Sequence, residues 1–501
     1  MKIKRALLLA GGILAVSTLA GCGGSSGESS GVIKITFDHT FGESIEKAVI
    51  SRFNTFKGLV EAEEGVKLEL EMKSVGSYSA VVNTVGMELE GGNGPTMTIA
   101  YPDHVAALQA KESTPGQYIV NMDSYMDDAN IGFGKETYLG DIAKYDKADI
   151  IQSYLEEGQQ FSREGTYCLP YLKSTEILQY NIPKVKAALA YYSKTSALDE
   201  KGKTEFIEKM SFDELMEIAQ VIVDNKTALN LPNLTYPVFY DSDSNMVITQ
   251  MIQSGLIYSD FDQSGKARLG FDASIPEFAD NINSAKTLLQ RFRTWHSDGL
   301  LNTKTGNEGN YSSSSFKNQE CVFVIGSTGG AGYSVPEEGS FDAGYARVPY
   351  VGEESTNPVY ISQGPSIAFC NDKSVSKDVN DARLKYAWKF YKYLILPKNN
   401  IAIACNNSMG YVPVRKSAYK TNDWAKVIAP DDEEDITYYT YTAKVIDETI
   451  NGHYFSTKVF NGSDKYRVYT TGIVTNLINT NNSIDSILAE AVRETKNFMD
   501  K

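Results

Sequence analysis

Apolar and polar residues follow two different periods along the first hundred residues. Residues 32–37 alternate as a strand does, and residues 43–56 carry apolar side chains at helical spacing. The same patterns predict strands at 66–72 and 96–101, with a helix at 79–90 between them. Strands that alternate with helices indicate an α/β domain with a largely parallel sheet.

Comparable patterns continue to the end of the chain. The sequence Ser-Phe-Asp-Glu at 211–214 is a capping box that opens a helix to Val223. The other predicted elements are strands at 165–170 and 321–325, a glycine-rich turn at 326–332, and helices at 277–296, at 382–396 (stopped at Pro397) and at 484–499.

Ligands of open α/β sheets bind beyond the carboxyl ends of the strands. Polar and aromatic residues that directly follow the predicted strands are therefore candidates for a binding site. They are Asp38, His39, Ser77, Tyr78, Tyr101, Asp103 and His104.

The first residues have the pattern of an export signal. Three basic residues precede an apolar run at 6–20, which is shorter than the roughly 20 residues that span a bilayer. Leu19-Ala20-Gly21-Cys22 is typical of a bacterial lipoprotein cleavage site. We therefore expect residues 1–21 to be removed, Cys22 to carry lipid, and the Gly- and Ser-rich segment 22–31 to be a flexible tether to the cell membrane.

The charge balance narrows the class of partner. The chain has 63 acidic and 48 basic residues and a net charge of −15, or about −18 without the three basic residues of the signal. Nucleic acids and anionic lipids favour clustered Lys and Arg, so neither is expected as the main partner. The acidic run 431–435 is expected to be a solvated loop.

Neither a metal nor a cofactor is predicted. Cys168, Cys321, Cys370 and Cys405 are scattered and are expected to be buried free thiols, although an exported chain allows a disulfide. No histidine is paired with a cysteine at ligand spacing. The glycine-rich turn lacks the Lys-Ser/Thr ending of a P-loop, and no H-E-x-x-H, kinase or cysteine-based motif is present.

Several segments, in order and spacing, resemble the extracellular solute-binding proteins of bacterial carbohydrate ABC importers. The resemblance covers essentially all of residues 32–501. Besides the lipoprotein site, the segments that carry it are 37–42, 94–103, 166–171, 174–181, 212–215, 316–327 and 409–417.

The chain is most similar to the family branch that contains the glycerol-3-phosphate-binding protein. The branch has an aromatic-x-His strand end, a Ser-Thr pair, a Gly-Tyr-Leu-Pro segment and an arginine near the C-terminal hinge. The matching positions here are His39, Ser174-Thr175, 410–413 and Arg467. The resemblance implies ligand contacts from Tyr78, Ser327, Thr328, Gly364, Tyr411 and Arg467.

One departure from that branch bears on the ligand. Asp241-Ser-Asp-Ser244 stands where the branch has a tryptophan-bearing loop. Added carboxylates repel a phosphate, so Asp241 favours a hydroxyl-rich sugar over a phosphorylated polyol.

The resemblance implies an α/β fold of two lobes, the type II periplasmic-binding-protein-like fold, with hinge-crossing strands and a central ligand cleft. One lobe is expected from residues 32–170 plus 365–419, and the other from 171–364 plus 420–501. Ligand-driven hinge closure and docking on a membrane permease would follow, with the protein acting as a monomer.

The leading hypothesis is thus a non-enzymatic receptor that captures a sugar or oligosaccharide for an ABC permease. Tyr78, Tyr101 and Tyr411 would stack on the sugar, while Asp38, Asp103, His104 and Ser327 would bind its hydroxyls. A receptor for glycerol-3-phosphate or a glycerophosphodiester is the alternative within the family. A surface glycosidase with paired carboxylates, or an adhesin without a cleft, remain alternatives from other classes.

Overall fold

The computed structural model describes residues 31–135, 145–352, 359–405, 410–450 and 453–499. The predicted signal and Cys22 lie outside these ranges, as does the tether apart from Gly31. Among the described helices, none combines the length and apolar character of a membrane span.

Strands and helices alternate through much of the chain. The strands are β1 Val32–His39, β2 Lys67–Ser74, β3 Met97–Ala100, β4 Leu169–Pro170, β5 Glu176–Asn181, β6 Val238–Tyr240, β7 Ser259–Phe261, β8 Ala267–Leu269, β9 Leu301–Thr303, β10 Phe323–Ser327, β11 Ala343–Arg347, β12 Val359–Ile361, β13 Ser366–Phe369 and β14 His453–Phe455. The helices are α1 Glu43–Glu64, α2 Tyr78–Glu90, α3 Pro102–Gln109, α4 Asp123–Met126, α5 Gln152–Glu157, α6 Ile182–Leu189, α7 Glu200–Lys209, α8 Phe212–Asp224, α9 Asp243–Gln253, α10 Ala279–Ser297, α11 Ser313–Lys317, α12 Lys377–Leu394, α13 Pro397–Ala404, α14 Asn422–Ile428, α15 Tyr438–Thr449, α16 Ser463–Asn479 and α17 Ile484–Met499.

Two five-stranded sheets form the centres of two lobes. The first has the order β2-β1-β3-β13-β4 and the second the order β11-β5-β10-β6-β9. Each contains parallel pairs, but β13 is antiparallel to β3 and β4, and β5 is antiparallel to β10 and β11. The sheets are therefore mixed rather than largely parallel. The antiparallel pairs are made by β13 and β5 with strands that are distant from them in sequence.

Helices cover both sheets with apolar faces. In the first lobe, α1 buries Val49, Phe53 and Phe56, and the Phe53 ring lies 5.1 Å from Phe390 of α12. In the second lobe, the predicted capping box is present: the Ser211 hydroxyl accepts from the Glu214 N–H, and the Glu214 carboxylate accepts from the Ser211 N–H. This cap satisfies N–H groups at the start of α8 and so fixes the residue at which the helix begins.

Three segments cross between the lobes side by side. Lys173 exchanges backbone hydrogen bonds with Val412, and Ser174 exchanges them with Gln363. A short parallel pair of β12 with β14 lies at the same level. Tyr360 on β12 packs in the first-lobe core and Ile361 in the second-lobe core, so this pair belongs to the crossing region.

Residues 420–450 pack in a way that the sequence pattern did not indicate. Trp424 and Tyr439 share a buried cluster with Ile401 and Val412, while α15 also packs against β11 of the second sheet. The segment therefore bridges the two lobes at the crossing. The acidic residues at 433–435 are exposed, as predicted.

Three local expectations differ from the structure. In the predicted glycine-rich turn, Gly326 and Ser327 belong to β10, and Thr328–Ser334 form a 3-10 helix. The strand predicted at 165–170 is reduced to Leu169–Pro170, because Thr166 and Tyr167 pair with loop backbone instead. Pro397 does follow the end of α12, but it also begins α13, a position where its missing N–H has no cost.

Candidate functional site

A cleft between the lobes is formed by two adjoining cavities of about 950 and 290 Å³. They share Ser242, Asn245 and Gln363 in their walls, so they form one continuous space. The smaller cavity has walls from both lobes, whereas the larger one is built on the second lobe. The larger cavity alone has a volume in the range that encloses small organic ligands.

Aromatic rings line the first-lobe side of the cleft. The Tyr78 and Tyr101 ring centroids are 4.7 Å apart, and His104 lies 5.7 Å from Tyr101. The His104 Nδ1 accepts from the Tyr101 N–H at 3.4 Å, which ties the ring to the start of α3. Burial raises the pKa of Tyr78, so this phenol stays protonated and keeps a hydroxyl for hydrogen bonding.

Tyr411 stands behind this aromatic wall. Its hydroxyl is hydrogen-bonded to that of Tyr78, and its carbonyl accepts from Tyr439 at 2.5 Å. Gly410 has φ +68°, and a Cβ at this position would lie 1.9 Å from the Thr328 carbonyl oxygen. A glycine is therefore required for the Gly-Tyr segment to reach across to the second lobe.

Three carboxylates line the larger cavity, each held by hydrogen-bond donors. Glu176 accepts from the Tyr240 hydroxyl at 2.5 Å and from the Asn245 amide at 2.9 Å. Burial raises the pKa of Glu176 to about 7, with those two donors and Arg467 opposing the effect. The result is an acidic floor that can accept hydrogen bonds from hydroxyl groups.

The other two carboxylates follow β6. Asp241 accepts from the Ser312 N–H at 2.8 Å, and Asp243 accepts from the Thr303 hydroxyl at 2.6 Å. Burial raises the pKa of Asp241, and the Ser312 N–H opposes this shift.

Two exposed tyrosines on the walls of the larger cavity were not singled out from the sequence. Tyr333 is 77% exposed and Tyr311 is 60% exposed. The Lys304 ammonium lies 3.8 Å from the centre of the Tyr311 ring. Their signal was weak, because both belong to segments rich in Gly and Ser and each is one of 31 tyrosines.

Arg467 connects the walls of the smaller cavity. Its Nε lies 3.5 Å from the Asp103 carboxylate of the first lobe, and its Nη1 donates to the side-chain Oδ1 of Asn245 in the second lobe at 2.8 Å. The predicted arginine thus lies in the cleft, with both contacts made to protein groups.

The cleft contains half of the residues proposed from the sequence. Those in the walls of the two cavities are Tyr78, Tyr101, Asp103, His104, Asp241, Ser327 and Arg467. Those outside the walls are Asp38, His39, Ser77, Ser174, Thr328, Gly364 and Tyr411.

Asp38 and His39 are buried in the first lobe rather than presented to the cleft. His39 accepts from the Phe41 N–H at 3.1 Å and stacks on the Phe41 ring, and burial lowers its pKa against the opposing effect of Glu46. Burial raises the pKa of Asp38 to about 6 against Lys73, 3.9 Å away. His39 stops short of the cleft because Phe41 of the following loop stacks on its ring, and Asp38 lies beside Lys73 of β2 instead.

Four other residues proposed from the sequence also lie outside the cavity walls. Ser77 is exposed beside Ser79, whereas Ser174 and Gly364 form part of the crossing. Thr328 is buried, and its N–H donates to the Thr175 carbonyl at 2.8 Å.

Within the described residues, the four cysteines are free, and Cys168, Cys321 and Cys370 are buried. No group of three His, Cys, Asp or Glu side chains in those same ranges is arranged to hold a metal ion.

Comparison with known proteins places the fold in a known class. The family model for bacterial extracellular solute-binding proteins matches residues 51–430. No curated protein matches the chain.

Solved structures share this fold at low identity. The sugar-binding protein MalE of Xanthomonas citri aligns with a TM-score of 0.64 and 13% identity over 94% of this chain and 97% of its own. The cyclic α-maltosyl-1,6-maltose binding protein of Arthrobacter globiformis gives 0.63 and 13% over 94% and 99%. UgpB of Mycobacterium tuberculosis, solved with glycerophosphocholine, gives 0.61 and 16% over 94% and 99%.

Proposed function

Because the chain belongs to the bacterial extracellular solute-binding protein family, we propose that it captures a sugar or oligosaccharide in the cleft between its lobes and delivers it to an ABC permease. The observation that carries this proposal is the composition of the cleft. Aromatic rings from both lobes face the same space as hydrogen-bonding carboxylates, amides and hydroxyls.

This composition suits a carbohydrate. A sugar ring has a C–H face that packs on an aromatic ring and an edge of hydroxyls that need hydrogen-bond partners. Tyr78 and Tyr101 supply rings on one side, and Tyr333 supplies one on the other. Glu176 and Asp241 supply acceptors at the larger cavity.

The charges of the cleft disfavour a phosphorylated ligand, the alternative suggested by the resemblance. Glu176, Asp241 and Asp243 line the larger cavity together with one cation, Lys304. Arg467 already contacts Asp103 and Asn245. A phosphate would therefore face net negative charge, and UgpB-like binding of a phosphodiester is the weaker candidate.

Delivery requires a membrane surface and a moving hinge. Closure of the lobes on the sugar would form the surface that a permease recognises, as differential ligand contacts shift the equilibrium towards the closed state. Lipid on Cys22 would keep the receptor, acting as a monomer, beside its permease outside the cytoplasm. The ligand leaves chemically unchanged, and no cofactor takes part.

A thermal-shift screen of the purified protein tests the function. The panel contains neutral mono- and oligosaccharides, glycerol-3-phosphate and glycerophosphocholine, and each mixture is analysed afterwards for products. A ligand at 100 times its Kd adds about 2.7 kcal/mol of stability. A selective shift with a neutral sugar recovered intact supports the proposal, whereas a shift with phosphodiesters alone, cleavage of the sugar, or no shift opposes it.

The screen has a matched pair of variants. Tyr333→Ala removes an exposed ring from the cleft, and Tyr191→Ala removes an exposed ring from the surface of the second lobe. We expect Tyr333→Ala to weaken binding of the sugar about tenfold, within the range for loss of one aromatic contact. Calorimetric titration with the sugar measures both variants, and Tyr191→Ala should bind as the wild type does.

A further inference from the structure

Arg467 is placed where the lobes meet. It lies on α16 of the second lobe, which packs beside α3 of the first lobe. Its guanidinium contacts Asp103 on α3 at 3.5 Å. The Arg467 side chain is 36% exposed and that of Asp103 is 13% exposed, so the pair is partly shielded from solvent.

The contact continues into the floor of the larger cavity. Arg467 donates to the side-chain Oδ1 of Asn245 at 2.8 Å, and the Nδ2 of the same side-chain amide donates to Glu176 at 2.9 Å. The second Glu176 oxygen accepts from Tyr240 at 2.5 Å. Because the Asn245 amide uses its two ends for different partners, its orientation is fixed by Arg467 on one side and Glu176 on the other.

These contacts give Arg467 a role other than binding an anionic ligand. Its Nε and Nη1 face protein acceptors, and a carboxylate already neutralises its charge. Opening of the lobes would separate Asp103 from Arg467, since the two residues belong to different lobes. The ion pair therefore exists only while the lobes are close together.

We propose that Arg467 is a positioning residue, a latch that favours the closed arrangement of the lobes and orients Asn245 and Glu176 for the ligand. This inference rests on the proposed capture of a sugar in the cleft. Loss of the latch lowers the population of the closed form, and the apparent affinity falls by the same factor.

The test uses Arg467→Gln, Asp103→Asn and the double variant. The control is Arg268→Gln, which removes an arginine paired with Asp260 inside a single hairpin of the second lobe. The radius of gyration is measured by small-angle X-ray scattering without any ligand. Affinity is then measured by calorimetry for the neutral sugar found in the screen and for glycerophosphocholine.

We expect both single variants to have a larger radius of gyration than the wild type and Arg268→Gln, and to bind the sugar about three- to tenfold more weakly. A partly exposed ion pair with a charged hydrogen bond supports an effect of this size. The double variant should be no weaker than Arg467→Gln alone, because the second change removes a contact that is already lost.

Two results overturn the proposal. An unchanged radius of gyration in both single variants shows that no latch exists, whatever the ligand is. Stronger binding of glycerophosphocholine by Asp103→Asn, with its loss in Arg467→Gln, shows that Arg467 contacts the ligand directly. If no sugar binds, the scattering result still tests the latch, so its failure is distinguishable from failure of the proposed function.

Discussion

Glu176 shows how a single buried group can serve a binding cleft at a cost in stability. The residue is 2% exposed, and its carboxylate is held by Tyr240 and Asn245. Burial nevertheless raises its pKa to about 7. The folded protein therefore binds a proton at this site over a pH range in which the unfolded chain has released it.

This raised pKa predicts a pH dependence of stability. Between pH 4.5 and about 7 the folded state holds more protons at Glu176 than the unfolded state, so the free energy of unfolding falls as pH rises through this window. Glu176→Gln resembles the protonated form, so its free energy of unfolding should not fall in this pH window. We expect it to match the wild type near pH 4.5 and to exceed it by up to about 3 kcal/mol above pH 7, since one pKa unit is worth about 1.4 kcal/mol.

Denaturant unfolding of both proteins across pH 4.5 to 8 measures this difference. A constant gap between the two curves would show that Glu176 does not titrate in this range. Calorimetry with the sugar at pH 8 then shows whether the stabilised variant loses affinity, as expected for a carboxylate that accepts hydrogen bonds from hydroxyls.

At the residue scale, sequence reasoning found cleft residues where a strand end exposes them. Tyr101, Asp103 and His104 follow β3 directly and do line the cleft. His39 is the last residue of β1 and was predicted on the same reasoning, yet the Phe41 ring covers it. Tyr333 was missed because nothing in a loop sequence shows which way its side chain faces.

Among the elements, the crossing segments are packed too tightly to accept a side chain at Gly364. The residue has φ +86°, and a Cβ would lie 2.2 Å from the Leu172 carbonyl oxygen. Gly76 also has φ +86° but has nothing within 4 Å of its Cβ position. The two glycines share a backbone conformation and differ in their surroundings.

Replacement of each glycine by alanine separates these effects. Gly76→Ala should cost about 1 kcal/mol, the strain of a left-handed conformation in an L-residue. Gly364→Ala should cost at least about 3 kcal/mol, because the strands of the crossing must also move apart. Equal losses in denaturant unfolding would mean that the crossing is not tightly packed.

A buried ion pair joins the same crossing to the first lobe. The Lys173 ammonium lies 2.6 Å from the Glu157 carboxylate, and neither side chain is more than 3% exposed. Glu157 also accepts from the Ser362 hydroxyl at 2.7 Å, and Lys173 donates to the Gly364 carbonyl at 3.2 Å. One ion pair thus fastens two crossing segments to α5.

Lys173→Met should lower the free energy of unfolding by about 3 to 5 kcal/mol, because it leaves the Glu157 charge buried without a charged partner. The double variant with Glu157→Gln should recover most of the loss. Lys377→Gln, which removes an exposed pair with Asp381, serves as the control and should change little. A small loss in Lys173→Met would show that water reaches Glu157.

At the element scale, the helices that were predicted are present in the structure, whereas the prediction of largely parallel sheets was wrong. Helical periodicity and the Ser211 cap are local signals, and the structure has helices at those places. The mixed sheets depend on β13 and β5 pairing with strands that are distant in sequence, which periodicity does not record. The position of α15 between the two lobes likewise depends on contacts between residues that are distant in sequence.

For the whole molecule, the resemblance supplied what the residue pattern alone did not. The pattern indicated an α/β class, while the two-lobe architecture and the solute-binding family came from the order of the motifs and are confirmed. The lobe boundaries and the lipid on Cys22 stay predictions. The sequence predicts a class of ligand but no individual sugar, because that choice depends on contacts made within the cleft.

Hydrogen exchange with mass detection, with and without the neutral sugar from the screen, tests the central claim of capture between the lobes most directly. We expect the sugar to slow exchange in the segments around Tyr101–His104 in the first lobe and Ser327–Tyr333 in the second, since both line the cleft. Protection should extend to the crossing at 360–364. Protection confined to one lobe, or to a surface away from both segments, would contradict capture in the interlobe cleft.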